Sequence, residues 1–295
     1  MADRIGFIGL GLMGKPMGLN ILKHGFSLVV HSRSQAPVDV LVAAGAVSAQ
    51  SPAEVARQCD IIITMVPDSP DVRLVVEGAH GVFDGIRAGS VIVDMSTIAP
   101  AVARDLAGKA AERGVQMLDA PVSGGEVGAI NGTLSIMVGG KGAALERVRP
   151  VLNAMGNPER VVHIGPAGAG QICKACNQIC IGGALASVSE AFAIARKAGI
   201  DPARVREALL GGFAASRVLE VHGERMLKAN YVPGFRAGLY HKDMGIALST
   251  AHELGVPAPT SAVVQQLVSA MIAAGQADDD YSALATVVFR LAGLD

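Results

Sequence analysis

Apolar positions in the first 165 residues fall into short continuous runs that alternate with helical patterns. Continuous apolar runs of four to seven residues, closed by Gly, Pro or polar residues, are typical of strands buried on both faces of a parallel sheet. The runs occupy residues 4–10, 27–31, 61–66, 91–95, 116–120, 134–138 and 160–164. The alternation predicts an α/β fold with a doubly wound parallel sheet, which the last two strands extend.

Helical signals separate these runs and then replace them after residue 164. Residues 15–24 and 99–113 have helical patterns, and Ser51-Pro-Ala-Glu54 combines an N-cap, a first-turn proline and a capping-box glutamate. Beyond Ile164 no strand pattern remains. The helices predicted there are 168–198, 202–210, 217–228, 238–253, 260–274 and 282–292. We therefore predict a Rossmann-type domain at 1–164 and an all-helical domain at 165–295, joined by a long helix from about residue 168.

The predicted helix 238–253 carries one lysine among its apolar positions. An inward stripe is predicted for Leu239, Ile246, Ala247, Thr250 and Leu254. Lys242 lies on that stripe, so it needs a charged partner or a ligand. The alternative is a side chain that snorkels at the edge of the stripe.

Composition removes several classes of function. The 295 residues carry a net charge of −1 with both signs well mixed, which gives no electrostatic footprint for nucleic acid or an anionic membrane. No apolar run is expected to approach the roughly 20 residues of a membrane span. Residues 1–4 lead into a short strand rather than the apolar region of a signal peptide, so the cytoplasm is the expected compartment. The four cysteines are Cys59, Cys173, Cys176 and Cys180. The last three fall at helical spacing and are interpreted as buried thiols on a helix face, with no metal site.

A glycine motif lies between the first strand and the first helix. In this context Gly-x-Gly-x-x-Gly indicates a dinucleotide site, because glycines allow a tight turn and bring backbone amides to a pyrophosphate at the helix N-terminus. Its residues are Gly9, Leu10, Gly11, Leu12, Met13 and Gly14.

The end of the second strand predicts which cofactor binds. NAD-binding folds usually place an acidic residue there for the ribose hydroxyls. This chain has Ser32, Arg33 and Ser34, a set suited to a 2′-phosphate. We therefore expect NADP(H), with NAD(H) as the lesser alternative. An exposed loop arginine without a cofactor role is the other interpretation.

Two further stretches carry candidate chemistry. Ser123, Gly124 and Gly125 follow a strand, and a hydroxyl with two glycine amides can cradle a carboxylate or simply form a turn. Lys174 and Asn177 follow a glycine-rich segment and share one helix face, where they could bind, protonate or orient a small polar substrate. A solvated lysine at a helix start is the alternative.

Four motifs in the same order and spacing resemble the β-hydroxyacid dehydrogenase family. They are the glycine motif extended to Met17, the stretch from Asp119 to Gly125, the Gly165–Gln178 stretch with Lys174 and Asn177, and Tyr240-His-Lys242-Asp243. The passages 62–70, 94–100 and 233–236 most resemble its tartronate semialdehyde reductase branch.

The resemblance implies a role for each matching residue. Lys174 would be the general acid or base; Ser123, Gly124 and Gly125 would hold the substrate carboxylate, and Asn177 would orient the substrate. Gln178 departs from the asparagine of many members, which puts its substrate contact in doubt. Lys242 would close over the cofactor. The other implied cofactor contacts are Met65, Val66, Pro67 and Thr97.

The implied reaction is NADP(H)-dependent reduction of a small carboxylate-bearing aldehyde, tartronate semialdehyde, to the hydroxyacid glycerate. Alternatives within the family are 3-hydroxyisobutyrate and succinic semialdehyde chemistry. A non-catalytic NADP sensor and a structural oligomerisation module remain open as other classes. Gly182 and Gly183 allow close helix packing, and we expect a homodimer or homotetramer.

Overall fold

Nine strands form one sheet in the part of the chain that the computed structural model describes, residues 3–294. They are β1 (Ile5–Ile8), β2 (Leu28–His31), β3 (Val47–Ser48), β4 (Ile61–Thr64), β5 (Val91–Asp94), β6 (Gln116–Asp119), β7 (Val122–Ser123), β8 (Leu134–Gly139) and β9 (Gly156–Gly165). The first six lie in the order β3-β2-β1-β4-β5-β6 and are all parallel, as in dinucleotide-binding folds. Met1, Ala2 and Asp295 lie outside the described residues. Met1 and Ala2 begin the segment 1–4 that was compared with a signal peptide.

The far edge of the sheet departs from the predicted parallel arrangement. β8 is antiparallel to β6 and β7, and β9 pairs in parallel with β8. Parallel neighbours need a crossover of a dozen or more residues, whereas only residues 124–133 connect β7 to β8. The prediction that the last two strands simply extend a parallel sheet is therefore wrong in direction, although both strands exist.

Seven helices of the described chain precede residue 165 and cover the sheet. They are α1 (Gly14–Lys23), α2 (Gln35–Ala43), α3 (Pro52–Gln58), α4 (Ser69–Glu77), α5 (Pro100–Ala111), α6 (Gly125–Asn131) and α7 (Gly142–Met155). The predicted N-cap is confirmed, because the Glu54 amide donates to Ser51 Oγ at 3.2 Å. The Glu54 carboxylate accepts from the Gln50 amide at 2.7 Å, one residue before the N-cap amide that a capping box uses. The patterns at 15–24 and 99–113 are confirmed as α1 and α5.

The central strands are buried on both faces, which explains their continuous apolar sequence. In β4, Ile61 and Ile63 belong to one hydrophobic cluster, whereas Ile62 between them belongs to another. Successive side chains of a strand point to opposite faces, so each face of the sheet has its own core. The two cores fix the register in which the carboxyl ends of β1, β4, β5 and β6 align.

A second compact unit follows the sheet. The chain divides into residues 1–174 and 175–295, so α8 (Ala169–Lys197) begins in the first unit and continues into the second. The boundary at 164/165 remains a prediction about the domains. The later helices are α9 (Pro202–Leu210), α10 (Arg217–Leu227), α11 (Ala237–Glu253), α12 (Pro259–Ala273) and α13 (Leu284–Leu291). All six predicted helices are confirmed; the last is preceded by a 3₁₀ turn at Tyr281–Ala283.

The buried stripe of α11 has a different phase from the predicted one. Leu239 and Leu254 are 38% and 63% exposed, so their assignment to the inward face is wrong. Tyr240 takes the inward position instead, and its hydroxyl lies where a side chain on Gly182 would be. The close approach that Gly182 allows is therefore used within this unit.

One helix of the described chain, α8, is long and apolar enough to cross a membrane by length and composition alone. The expectation that no apolar segment approaches that length is wrong by this criterion, because residues 175–189 contain no charged side chain. Half of its apolar window is buried inside the fold, and the core helix of a globular protein passes the same test.

Candidate active site

The predicted cofactor turn requires glycine at two of its three positions. Gly9 has φ +97°, and a Cβ there would overlap the Met65 carbonyl oxygen. A Cβ on Gly14 would overlap the Gly9 carbonyl oxygen, so glycine at this position is what lets α1 begin directly against the turn. A Cβ on Gly11 would meet no atom of the described chain within 4 Å. Gly11 thus keeps its backbone approachable, as a bound pyrophosphate requires.

The remaining residues of the turn leave the N-terminus of α1 open. Met13 occupies the N-cap position, and no side chain of the described residues forms a cap hydrogen bond there. The Leu10 amide donates to Ser32 Oγ at 3.3 Å, so the end of β2 holds the turn. Uncapped amides at a helix N-terminus favour an anion. The turn therefore fits the phosphates of a nucleotide.

Arg33 lies beside an acidic residue that the sequence analysis did not identify. Its guanidinium is 78% exposed, and Nη1 is 3.5 Å from Oδ1 of Asp71 in α4. A single long contact at this exposure contributes about 0–1 kcal/mol, so a phosphate can displace it. Ser34 occupies the N-cap position of α2 and forms no cap hydrogen bond with the described residues.

The loops after β4 and β5 are tied to each other and to the glycine turn. The Val66 amide donates to Ser96 Oγ at 2.9 Å, and the Met65 amide donates to the Ile8 carbonyl oxygen at 2.9 Å. Met65, Val66 and Thr97 are partly exposed, and Pro67 is exposed. The structure thus places these four predicted cofactor residues at the carboxyl edge of the sheet, where ligands of open α/β sheets bind.

Two buried carboxyl groups lie under this edge, opposite each other in register on β5 and β6. Asp94 Oδ1 accepts from Thr64 Oγ1 at 2.8 Å and from the Ser96 amide at 3.2 Å, whereas the buried Oδ2 has no partner among the described residues. Burial raises the pKa of Asp94 to about 6. Burial also raises the pKa of Asp119, which its backbone hydrogen bonds counteract.

Asp119 fixes the start of the helix that carries Lys174. The Gly168 amide donates to Asp119 Oδ1 at 2.7 Å, and the Gln171 amide donates to Oδ2 at 2.9 Å. A Cβ on Gly170 would overlap the Met137 carbonyl oxygen, so only glycine lets the helix start this close to the sheet. The role of Asp119 as a cap was visible in no motif, because it depends on residues about fifty positions apart.

Lys174 is buried rather than solvated. Its side chain is only 7% exposed, and Nζ donates to the Val122 carbonyl oxygen at 2.9 Å. Val122 precedes Ser123 in β7, so the structure brings Lys174 to the predicted carboxylate cradle. Gly124 and Gly125 have φ +138° and +61°, conformations that favour glycine, and they turn the chain from β7 into α6.

The predicted residues of the second unit form one hydrogen-bonded chain. Asn177 Nδ2 donates to Gln178 Oε1 at 2.8 Å, and Gln178 Nε2 donates to Asp243 Oδ2 at 2.6 Å. Lys242 Nζ lies 3.0 Å from Asp243 Oδ1. Tyr240 donates its hydroxyl to the Gln178 carbonyl oxygen at 3.0 Å. Asp243 thus connects the predicted substrate residues to Lys242. It belongs to the motif Tyr240–Asp243, but no role of its own is evident from the sequence.

The cysteines are less buried than predicted. Cys59 is buried, and burial raises its pKa to about 12. Cys173 is partly exposed, and Cys176 and Cys180 are exposed, so the interpretation of these three as buried helix-face thiols is wrong. The helix turns Cys176 and Cys180 outward, which sequence spacing alone could not decide. No cluster of three or more His, Cys, Asp or Glu residues suited to a metal ion occurs within residues 3–294.

Two family descriptions match successive parts of the chain. Residues 4–165 match the NAD binding domain of 6-phosphogluconate dehydrogenase. Residues 168–288 match the family described as NAD-binding of NADP-dependent 3-hydroxyisobutyrate dehydrogenase.

Individual relatives match over nearly the whole chain. The 2-hydroxy-3-oxopropionate reductase of Escherichia coli (strain K12) is 46% identical over 282 residues, 95% of each chain. The 2-(hydroxymethyl)glutarate dehydrogenase of Eubacterium barkeri is 38% identical over 292 residues, 99% of this chain and 96% of the relative.

A solved structure of the 3-hydroxyisobutyrate dehydrogenase of Mycobacterium tuberculosis with L-serine matches with a TM-score of 0.88. It is 32% identical and covers 98% of this chain and 99% of its own. The matching fold includes both the parallel sheet and the helical C-terminal part. The chain therefore belongs to the 3-hydroxyisobutyrate dehydrogenase-like family, resembles tartronate semialdehyde reductase within it, and is an NAD(P)-dependent β-hydroxyacid dehydrogenase.

Proposed function

We propose that this enzyme reduces tartronate semialdehyde to glycerate with NADPH, and that Lys174 is its general acid. The observation that carries the proposal is the buried Lys174 ammonium, hydrogen-bonded to the carbonyl oxygen next to Ser123. The 46% identity to 2-hydroxy-3-oxopropionate reductase supports the choice of substrate.

The cofactor would be held by the first unit. The turn Gly9–Gly14 receives the pyrophosphate at the open start of α1, through amides other than those of Gly9 and Leu10, which donate to the His31 carbonyl oxygen and to Ser32 Oγ. Met65, Val66, Pro67 and Thr97 contact the rest of the cofactor. Open space at Gly11 and the uncapped start of α1 support this assignment. When bound, the reduced nicotinamide supplies the hydride that reduces the aldehyde carbon.

The chain's own residues would hold the substrate and move the proton. Ser123, Gly124 and Gly125 bind the substrate carboxylate through a hydroxyl and backbone amides. Negative charge develops on the carbonyl oxygen during reduction, and the Lys174 ammonium stabilises it and donates a proton. Such a proton transfer contributes about 10²–10⁴-fold to the rate. In the oxidation direction the neutral lysine accepts the proton.

The second unit would contribute orientation. We assign Asn177 and Gln178 to the substrate and Lys242 to the cofactor. The chain of hydrogen bonds through Asp243 supports these assignments, because each of the three side chains is held by a neighbour.

Arg33 would select NADP(H) over NAD(H). No acidic residue follows β2 directly, and the exposed guanidinium has a weak contact with Asp71 to exchange for a 2′-phosphate. The family description that matches residues 168–288 is also of an NADP-dependent enzyme. We further propose that the chain forms a homodimer or homotetramer, which light scattering at micromolar concentration would test. We also propose the cytoplasm as its compartment, where a diffusible nicotinamide cofactor is supplied.

A steady-state panel tests the proposal. NADPH and NADH oxidation would be followed with tartronate semialdehyde, methylmalonate semialdehyde and succinic semialdehyde. We expect the highest kcat/KM for tartronate semialdehyde with NADPH. A higher kcat/KM for another semialdehyde would make that compound the substrate in place of tartronate semialdehyde. Cofactor binding without turnover of any semialdehyde would instead favour the sensor interpretation.

A further inference from the structure

The side chain of Gln171 clamps the backbone on both sides of Thr97. Its Nε2 donates to the Ser96 carbonyl oxygen at 2.8 Å, and its Oε1 accepts from the Ile98 amide at 3.1 Å. Because one backbone group is an acceptor and the other a donor, only this orientation of the side-chain amide satisfies both. Gln171 is 1% exposed, so the clamp is shielded from water.

Both ends of the clamp are anchored independently. On the helix side, the Gln171 amide donates to Asp119 Oδ2 at 2.9 Å. On the loop side, the Ser96 amide donates to Asp94 Oδ1 at 3.2 Å, and Ser96 Oγ accepts from the Val66 amide at 2.9 Å. The network therefore joins the loops after β4 and β5 to the first turn of α8.

The position of Gln171 in α8 gives the clamp its relevance to the reaction. Lys174 follows three residues later, one helical turn along, and its Nζ is fixed on the Val122 carbonyl oxygen. A shift of Gln171 relative to the 96–98 loop would thus change the distance between Thr97 and the lysine. A misplacement of about 1 Å in an active site can lower the rate about 100-fold.

We propose that Gln171 is a positioning residue that sets the Thr97 loop, and with it the nicotinamide end of the cofactor, relative to the Lys174 ammonium. The inference rests on the proposed function, because it takes Thr97 as a cofactor contact and Lys174 as the acid. Gln171 itself would contact neither substrate nor cofactor. Its effect is transmitted through the two backbone groups that it holds.

Gln171→Leu removes both side-chain hydrogen bonds at similar size. We expect kcat to fall roughly 10- to 100-fold. The Kd for NADPH should rise, whereas the Kd for 2′,5′-ADP, which lacks the nicotinamide, should stay unchanged. Both dissociation constants can be measured by calorimetry. Ser189→Ala is the matched control, because Ser189 is also a buried hydrogen-bonding residue of α8 and its hydroxyl donates to the Leu185 carbonyl oxygen at 2.7 Å.

Gln171→Glu separates positioning from mere packing. When protonated, a glutamate can donate to Ser96 O and accept from Ile98 N as glutamine does; when ionised, it faces the Ser96 carbonyl oxygen with a negative charge. We therefore expect kcat of this variant, divided by that of the wild type, to rise as pH falls. The charged groups near the clamp are Asp94 on β5, Asp119 on β6, Arg104 on α5 and Lys174 on α8. They are present in both proteins, so the ratio removes their shared titration.

The outcomes are distinguishable. The inference is supported by a pH-dependent rescue in Gln171→Glu together with a selective loss of NADPH over 2′,5′-ADP in Gln171→Leu. It is overturned if the glutamate variant keeps a constant ratio to the wild type, or if the leucine variant weakens both ligands equally. If the wild type reduces no semialdehyde, the proposed function fails, whereas the two dissociation constants still decide whether Gln171 positions the cofactor.

Discussion

In the first unit the candidate site is held mainly by backbone groups, whereas in the second unit side chains hold one another. Gly9, Gly11 and Gly14 shape the cofactor turn, and Asp94 and Asp119 accept hydrogen bonds from backbone amides. The second unit instead connects Asn177, Gln178, Asp243 and Lys242 through side-chain atoms. A backbone-built site needs particular residue types at fixed spacing, so it leaves a motif. A series of hydrogen-bonded side chains needs only complementary groups that folding brings together, so it leaves no motif.

The comparison is tested most strongly at Lys174, the proposed proton donor, which lies in the region built from backbone groups. We expect Lys174→Ala to lower kcat by roughly 10²–10⁴-fold, because the proton donor is lost. Lys174→Arg should not restore it, since guanidinium does not release its proton. Ser123→Ala should raise the substrate KM more than it lowers kcat, because the carboxylate that Ser123 is proposed to bind is present throughout the reaction. Turnover of Lys174→Ala close to that of the wild type would leave the lysine a structural residue.

The glycines of the cofactor turn separate folding from binding. Gly9→Ala places a side chain at φ +97° against the Met65 carbonyl oxygen, and we expect the free energy of unfolding to fall by about 3 kcal/mol. Gly11→Ala meets open space and should change stability by less than about 0.5 kcal/mol. It should nonetheless weaken NADPH binding, because the backbone can no longer approach the pyrophosphate. Urea unfolding and calorimetry measure the two effects; unchanged NADPH affinity in Gly11→Ala would argue against the turn as the pyrophosphate site.

The buried Asp94 predicts a pH dependence of stability. Burial raises its pKa to about 6, above the ordinary value of about 3.9. The native chain therefore holds this proton more tightly than the unfolded chain, and the stabilisation is lost as pH rises from about 4 to about 6. The full loss is about 3 kcal/mol. Wild type minus Asp94→Asn, measured by urea unfolding across this range, should decrease with pH; an increase or a constant difference would contradict the prediction.

In the second unit, Asp243 is the residue that links Gln178 to Lys242. Asp243→Asn removes the charge that faces Lys242 and alters the acceptor of Gln178. We expect the free energy of unfolding to fall by about 2 kcal/mol, because buried polar groups lose their partners. Asp278→Asn is the control, since its contact with Arg236 is largely exposed and contributes about 0–1 kcal/mol. If the two substitutions lowered the free energy of unfolding equally, the buried contacts of Asp243 would contribute no more than an exposed ion pair.

The smallest effect is expected at the edge of the cofactor site. Arg33→Ala should raise the KM for NADPH and leave that for NADH nearly unchanged. Asp71→Asn should lower the KM for NADPH by a few-fold, because a carboxylate 3.5 Å from the guanidinium opposes a 2′-phosphate by about 1 kcal/mol in water. The Asp71 effect should shrink at high salt. Equal changes for both cofactors in Arg33→Ala would contradict the assignment to the 2′-phosphate.

The sequence alone determined the seven longer strands, their alternation with helices and the glycine turn, but not the two-residue strands β3 and β7. Buried strands such as β4 need continuous apolar residues, and the turn needs glycine at position 9, so both features are written locally. Lys174, Ser123 and Arg33 are recognisable as candidates from their residue type and their position beside such elements. Their placement at strand ends or helix starts follows from chain order.

Only the tertiary structure decided the antiparallel edge at β8, the inward phase of α11 and the partners of the buried polar groups. Asp119 caps a helix about fifty residues later, Gln171 clamps the loop at 96–98, and Asp243 joins Gln178 to Lys242. Each pair is distant in sequence or hidden in an ordinary helix, and no local preference specifies it. Side-chain hydrogen bonds of this kind form because burial leaves a polar group no water to bind, and burial is a property of the folded chain.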